Sequence, residues 1–306
     1  MKSSKEEVER EHGFRFRDIG DLLKETSIKW VNDDAFTNAA AVSFYALLSL
    51  PGILMIIVNT IGIFLGKKAI EGDIAEKIDM LMGEETAKQI QLIIVNASQQ
   101  PQSDILMLTG ISVLIISATG VFIQIQISLN KVWQVQIRKE ATWIKLFLDR
   151  AESFLLILIV GLFLFASILL SSIVASVSSF LTLIIPGFSI YIFYLFDFIV
   201  SFLIQTLLFA LIFKYLPDIK IQFNALWPGA FLTTALFYLG KICLNLYFTK
   251  ISPESVFGAA GSVILILLWI YYSCLLLLFG AEFTQVYVKK YHYPVAPSTM
   301  ATFVKL

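Results

Sequence analysis

The sequence predicts an all-α fold, a polytopic membrane helix bundle with about six transmembrane helices. Three observations predict it. Hydrophobic residues make up 58% of the 306 and charged residues only 15%; a soluble domain carries about 25% charged residues. The mean hydropathy of +0.80 leaves no polar skin to cover so apolar a core, and a bilayer as solvent removes that problem. The apolar residues also fall in runs of at least the ~20 residues that a spanning helix needs, divided by Pro and Gly.

In chain order, residues 1–35 form an N-terminal arm. There Ile19, Leu22, Leu23, Thr26 and Trp30 recur at helical spacing, which predicts an amphipathic helix lying on the cytoplasmic leaflet. The first span covers 36–66, with Pro51 near its middle. Residues 67–104 carry a net charge of −3 and repeat Ile70, Ile74, Ile78 and Leu81, then Ile90, Ile94 and Ala97. They predict two short amphipathic helices on the outer face, broken near Gly83 and closed by Pro101.

The second span covers 105–130 and is uncharged. Residues 153–196 hold 44 positions without a charge, too many for one crossing. Ile185-Pro186-Gly187 divides them into spans at 153–181 and 189–213. Leu216-Pro217-Asp218 ends the fourth span. Trp227-Pro228-Gly229 opens the fifth, 227–249, with proline in the first turn where its missing N–H costs nothing. The sixth covers 257–288, and 289–306 is a tail.

Orientation follows from Lys and Arg in short loops. With six spans, the side bearing both termini holds 17 of them and the opposite side 5. That split predicts cytoplasmic termini in the cell membrane. Trp30, Trp133, Trp143 and Trp227 fall near the predicted cytoplasmic ends, the interfacial position that tryptophan favours. The first apolar run begins only near residue 35, so no cleavable signal peptide is expected. Cys243 and Cys274 sit in apolar runs and read as buried thiols.

Three strings carry a resemblance: NAAAVSFYALLSLPGILMIIVNTIGIFLG at 38–66, LWPGAFLTTALFYLGKICLNLYF at 226–248 and VFGAAGSVILILLWIYYSCLLLLFGAEFTQV at 256–286. Together, in order and spacing, they resemble the YihY family, also called BrkB-like or ribonuclease BN-like membrane proteins, from about residue 25 to 290. The resemblance implies a bacterial-type cytoplasmic-membrane protein without a defined molecular activity.

The family's historical ribonuclease label does not survive the residues. A zinc nuclease needs several His and Asp side chains converging on metal. This chain has two histidines, His12 and His292, both in polar tails. There is no phosphate-binding glycine loop, and a net charge of zero argues against a nucleic-acid partner. No catalytic residue, metal site or cofactor is expected, and the chain does not read as an enzyme.

The informative residues are the polar ones inside spans. A central Lys or Asp costs about 2.5–3.5 kcal/mol on insertion scales, so such residues face the bundle interior or a watery cavity. Asp197 on the fourth span and Lys241 on the fifth lie roughly 13–15 Å from the outer end by helical rise. They read either as a structural ion pair or as a polar station in a transport path. Glu282 lies near the inner end of the sixth span, at the expected level of Arg150 and Lys145. A salt bridge and a gate or proton site are both open for it. Tyr45, Asn59, Gln124, Gln126, Asn130 and Asn245, with Ser43, Ser49, Gln205, Tyr271 and Tyr272, either line a cavity or glue helices together. Ser167, Ser171, Ala175 and Ser179 form a small-residue packing face on the third span.

The functional expectation is a transporter or translocase of a small solute, an ion or a lipid, with the lipid bilayer and that solute or lipid as its partners. The alternative is a non-transporting envelope scaffold or assembly factor. A lipid-directed membrane enzyme is a third class without a motif in its favour.

Overall fold

A computed structural model describes residues 18–65, 91, 119–137, 189–250, 261–298 and 301–304. The expectations for 105–118 and the third span, for Arg150 and Lys145, and for 67–104 beyond the helical Gln91 lie outside the described residues. What is described is mostly helical. Six helices follow in order: α1 Ile19–Asn32, α2 Ala35–Leu65, α3 at 119–132, α4 Ser189–Tyr215, α5 Trp227–Lys250 and α6 Gly261–Lys290. Four three-residue strands join them: β1 Val135–Ile137, β2 Ile219–Ile221, β3 Val295–Pro297 and β4 Ala301–Phe303.

The chain divides into two compact units. The first comprises 1–26, 129–234 and 280–306, and it holds all four strands. The tail after α6 supplies β3 and β4. β4 pairs antiparallel with β1, Val135 opposite Phe303, and β3 pairs antiparallel with β2, Ile219 opposite Pro297. Two helices stop the same way. Gln134 after α3 and His292 after α6 adopt left-handed φ of 54° and 53°. At His292 the two bonds of a Schellman turn are complete: His292 N–H donates to Lys289 O and Tyr293 N–H to Val288 O. From Gly280 to Val288 every residue of α6 except Gln285 is buried, so this end of the helix is a central strut enclosed on all sides. Phe213 of α4 packs against it at Gly280, and Leu129 and Leu226 are buried in the same unit.

The second unit comprises 27–128 and 235–279. Asp34, with φ 53°, turns the chain from α1 into α2. Trp30 fixes that corner. Its Nε1–H donates to Leu275 O of α6 at 3.2 Å. Its ring meets Phe36 with centroids 4.6 Å apart and Phe279 edge-on at 5.6 Å. The helix α2 continues through Pro51 without a break, as membrane helices allow when neighbours satisfy the freed carbonyl.

The amphipathic stripe on α1 meets protein where a leaflet was expected. Leu22 and Thr26 are fully buried within the chain, and the exposed apolar residues of this helix are Ile28 and Val31. The two thiols also differ from expectation: Cys243 is exposed on α5 and Cys274 half-buried on α6, because an apolar run in a spanning helix has an outward face as well as an inward one. Elsewhere the outward faces are apolar at helical spacing: Leu195, Phe198, Ile199 and Leu203 on α4, and Leu239, Ile242 and Leu246 on α5. Water does not tolerate such continuous apolar faces; hydrocarbon does. Among the described residues, two stretches, Phe198–Tyr215 and Val263–Lys290, are long and apolar enough to cross a membrane.

Candidate functional site

The polar chemistry of the first unit gathers where α5 begins and α6 ends. These antiparallel helices meet through reciprocal glycine–threonine contacts. A Cβ added at Gly229 would collide with Thr284 Oγ1 and lie 3.0 Å from Gly280 O; one added at Gly280 would collide with Thr233. Only hydrogen side chains allow this approach. Thr233 and Thr284 turn their hydroxyls back onto their own helices, donating to Gly229 O and Gly280 O at 2.7 Å each. A third helix joins through Thr206 of α4, whose hydroxyl lies 3.1 Å from that of Thr234. All four threonines are at most 1% exposed.

Glu282 stands in this buried stretch of α6 and is 0% exposed. It is flanked along the helix by Gly280, Ala281 and Thr284. Removing a carboxylate from water costs several kcal/mol unless its surroundings return that energy, which makes an enclosed glutamate in a spanning-class helix an expensive residue to keep.

A second polar element closes the strand-bearing end. Asn130, the third-last residue of α3, donates from Nδ2 to Asp218 Oδ2 at 2.6 Å. It accepts the Asp218 backbone N–H on Oδ1 at 2.8 Å. The Asp218 carbonyl accepts Ser298 N–H from the tail at 2.9 Å. Nearby, Lys214 Nζ donates to Ile221 O, holding β2 against the end of α4.

In the second unit, Gln124 of α3 reaches Asn38 Oδ1 of α2 at 3.5 Å. Tyr45 lays its ring over Gly120, where a Cβ would come within 2.7 Å of it. Tyr272 occupies the space above Gly240 in the same way. Ser43 and Ser128 are buried, and both hydroxyls donate to carbonyls of their own helices, Ala39 O and Gln124 O.

Among the residues singled out from sequence, Asn130 and Glu282 thus belong to the first unit's buried polar region. Tyr45 of α2 and Gln124 of α3 belong to the second unit. Gln126 and Lys241 are half-buried on α3 and α5. The side chains of Asn59, Asp197 and Asn245, and Arg150 entirely, lie outside the described residues, and the expected Asp197–Lys241 pairing falls there with them. Among the described residues no three His, Cys, Asp or Glu side chains gather as a metal site.

Sequence reasoning missed Asp218, read there only as a helix stop after Pro217. It also missed Gly229, Gly280 and the threonines facing them. The signal for these was present: Gly229-x-x-x-Thr233 on one helix and Gly280-x-x-x-Thr284 on the other are matching four-residue steps, the small-residue spacing of close helix pairs.

Comparison with known proteins agrees with this architecture. The sequence profile of the family described as Virulence factor BrkB matches residues 27–301. A UPF0761 membrane protein of Pseudoalteromonas translucida (strain TAC 125) is 26% identical over 278 residues, covering 87% of this chain and 88% of its own. One from Pseudoalteromonas atlantica (strain T6c / ATCC BAA-1087) is 24% identical over 265 residues, covering 85% and 83%. A third, from Verminephrobacter eiseniae (strain EF01-2), is 30% identical over 178 residues but is matched over only 40% of its own length. No solved structure matches the chain. With nearly its whole length matched and its outward helix faces apolar, the chain belongs to the BrkB family of membrane proteins.

Proposed function

We propose that this chain is a transporter or translocase of the cytoplasmic membrane that moves a small solute, an ion or a lipid. It crosses the membrane six times with both termini in the cytoplasm, and it performs no catalysis. The observation that carries the reading is the enclosed carboxylate of Glu282, 0% exposed in a helix of spanning length. Intramembrane ionisable residues concentrate on ion and substrate pathways because their insertion cost must be offset by use or by pairing. The buried hydroxyls of Thr206, Thr233, Thr234 and Thr284 add polarity in the same unit.

The test is flux through proteoliposomes holding the purified full-length protein. Three probes cover the classes: protons read by an entrapped pH dye, potassium, and fluorescent phosphatidylglycerol read by outer-leaflet quenching. Movement of at least one probe above protein-free vesicles supports the reading; three silent probes count against it.

A second reading, a non-transporting envelope scaffold or assembly factor, has one observation in its favour. The α5–α6 crossing at Gly229 and Gly280 is closed tightly enough that a single methyl collides, as a static strut would be. Silent vesicles together with capture of an envelope complex by the full-length protein favour this alternative.

A further inference from the structure

The tail after α6 is rooted firmly and held lightly at its tip. At the root, the Schellman turn at His292 is complete. Asp18 accepts the Tyr291 hydroxyl at 3.0 Å and lies 3.7 Å from Lys290 Nζ. Tyr287 meets Tyr291 and Tyr293 with ring centroids 4.7 and 5.8 Å apart.

Beyond the root the character changes. β3 and β4 are three residues each and pair with strands of the same length, far short of what stands alone in water. Of the described residues at 292–304 only Ala301 is buried; Phe303 is 47% exposed and Val304 42%. The backbone also ties Ser298 N–H to Asp218 O and Val304 N–H to Gln134 O. A segment with few buried apolar contacts and a handful of exposed hydrogen bonds opens at low free energy.

Those few bonds nevertheless join three helix ends. β1 and Gln134 follow α3, Asp218 and β2 follow α4, and the tail is the continuation of α6. Asn130 and Asp218 tie the first two together, and Ser298 binds to that pair. While the tail is seated, it holds the ends of α3, α4 and α6 together. Once it lifts, the Asn130–Asp218 pair still joins α3 to α4, and α6 loses its strand ties to both.

We infer that tail residues 294–298 and 301–304 form a releasable strap across the strand-bearing end of the first unit, with the Asn130–Asp218–Ser298 junction as its latch. Its use as a gate rests on the transport reading; the strap itself rests on the geometry alone.

Hydrogen exchange by mass spectrometry on the full-length protein in lipid nanodiscs tests the strap without any flux. Peptides covering 294–304 exchange at least about 10-fold faster than those covering 280–290. Asn130→Ala speeds the tail by a further ~10-fold and leaves 280–290 unchanged. Exchange of the two segments in step, or a tail indifferent to Asn130→Ala, overturns the strap.

For the gate, Lys220→Cys with Ala296→Cys places two thiols on Cα partners of β2 and β3, within disulfide reach. Once mass spectrometry identifies the Lys220→Cys/Ala296→Cys disulfide, oxidation lowers flux at least about 10-fold, and reductant restores it. Unchanged flux in the cross-linked protein overturns the gate. Absence of flux in the unmodified protein overturns the transport reading and the gate with it, while the exchange result still decides the strap.

Discussion

Asn130 and Asp218, 88 residues apart, hold each other by two hydrogen bonds, amide to carboxylate at 2.6 Å and backbone N–H to amide oxygen at 2.8 Å. The end of α3 is thereby stitched to the turn after α4. Asn130→Ala removes both bonds and leaves the Asp218 carboxylate without its amide donor. The expected loss is about 2–3 kcal/mol, since one of the bonds is charge-assisted. Asn130→Asp is worse, because it sets two carboxylates against each other at the same distance. Thermal unfolding of the detergent-solubilised protein should rank wild type above Asn130→Ala and Asn130→Ala above Asn130→Asp.

The glycine–threonine crossing makes a sharper prediction. Gly229→Ala and Gly280→Ala each insert a methyl where a threonine already lies, at a cost of about 1–3 kcal/mol from overpacking. Thr284→Ala in the Gly229→Ala background vacates the clashing Oγ1 and recovers part of that loss. A double-mutant cycle on unfolding temperature checks it; strict additivity of the two changes contradicts the contact.

Trp30 tests the corner between α1 and α2. Trp30→Phe keeps a ring against Phe36 and Phe279 but loses the bond to Leu275 O. It should cost about 0.5–1.5 kcal/mol, and Trp30→Ala clearly more. Equal unfolding temperatures for the two variants would mean that the indole bond carries the whole contribution and the ring contacts none.

Much of the fold was legible because the bilayer simplifies the code. Long uncharged runs announce helices, and breakers mark their ends: α5 begins at Trp227, in the Trp-Pro-Gly string, and α4 ends at Tyr215, just before Pro217. The four strands were illegible, because three residues are too few for an alternating pattern to show. Their pairing is set by a tail that folds back from position 295 to positions 135 and 219. The site was legible in part. Glu282 stood out as a charge in an apolar run, but its full enclosure depends on neighbours from other helices. Asp218 looked like a turn residue, and its amide partner lies at the end of a helix far earlier in the chain. The α1 stripe was visible, while its covering at Leu22 and Thr26 by the protein itself was a matter of tertiary packing.

Topology gives an independent check on the proposed orientation. Single cysteines at 131–137 should react with an impermeant maleimide only after the cells are opened, and cysteines at 70–100 should react in intact cells. The motive is the 17-to-5 division of Lys and Arg between the two sides. The reverse pattern would invert the proposal and place the strand-bearing end outside.

The most direct measurement compares Glu282→Gln with wild type in proteoliposomes, using whichever of the three probes the wild type moves. Glutamine keeps the volume and a polar end but replaces one carboxylate oxygen by an NH2 donor and cannot ionise. The account predicts a loss of flux of about 10-fold or more, with Glu282→Gln still unfolding cooperatively in a thermal melt. Full flux from a stably folded Glu282→Gln would contradict the claim that the enclosed carboxylate lies on the transport path.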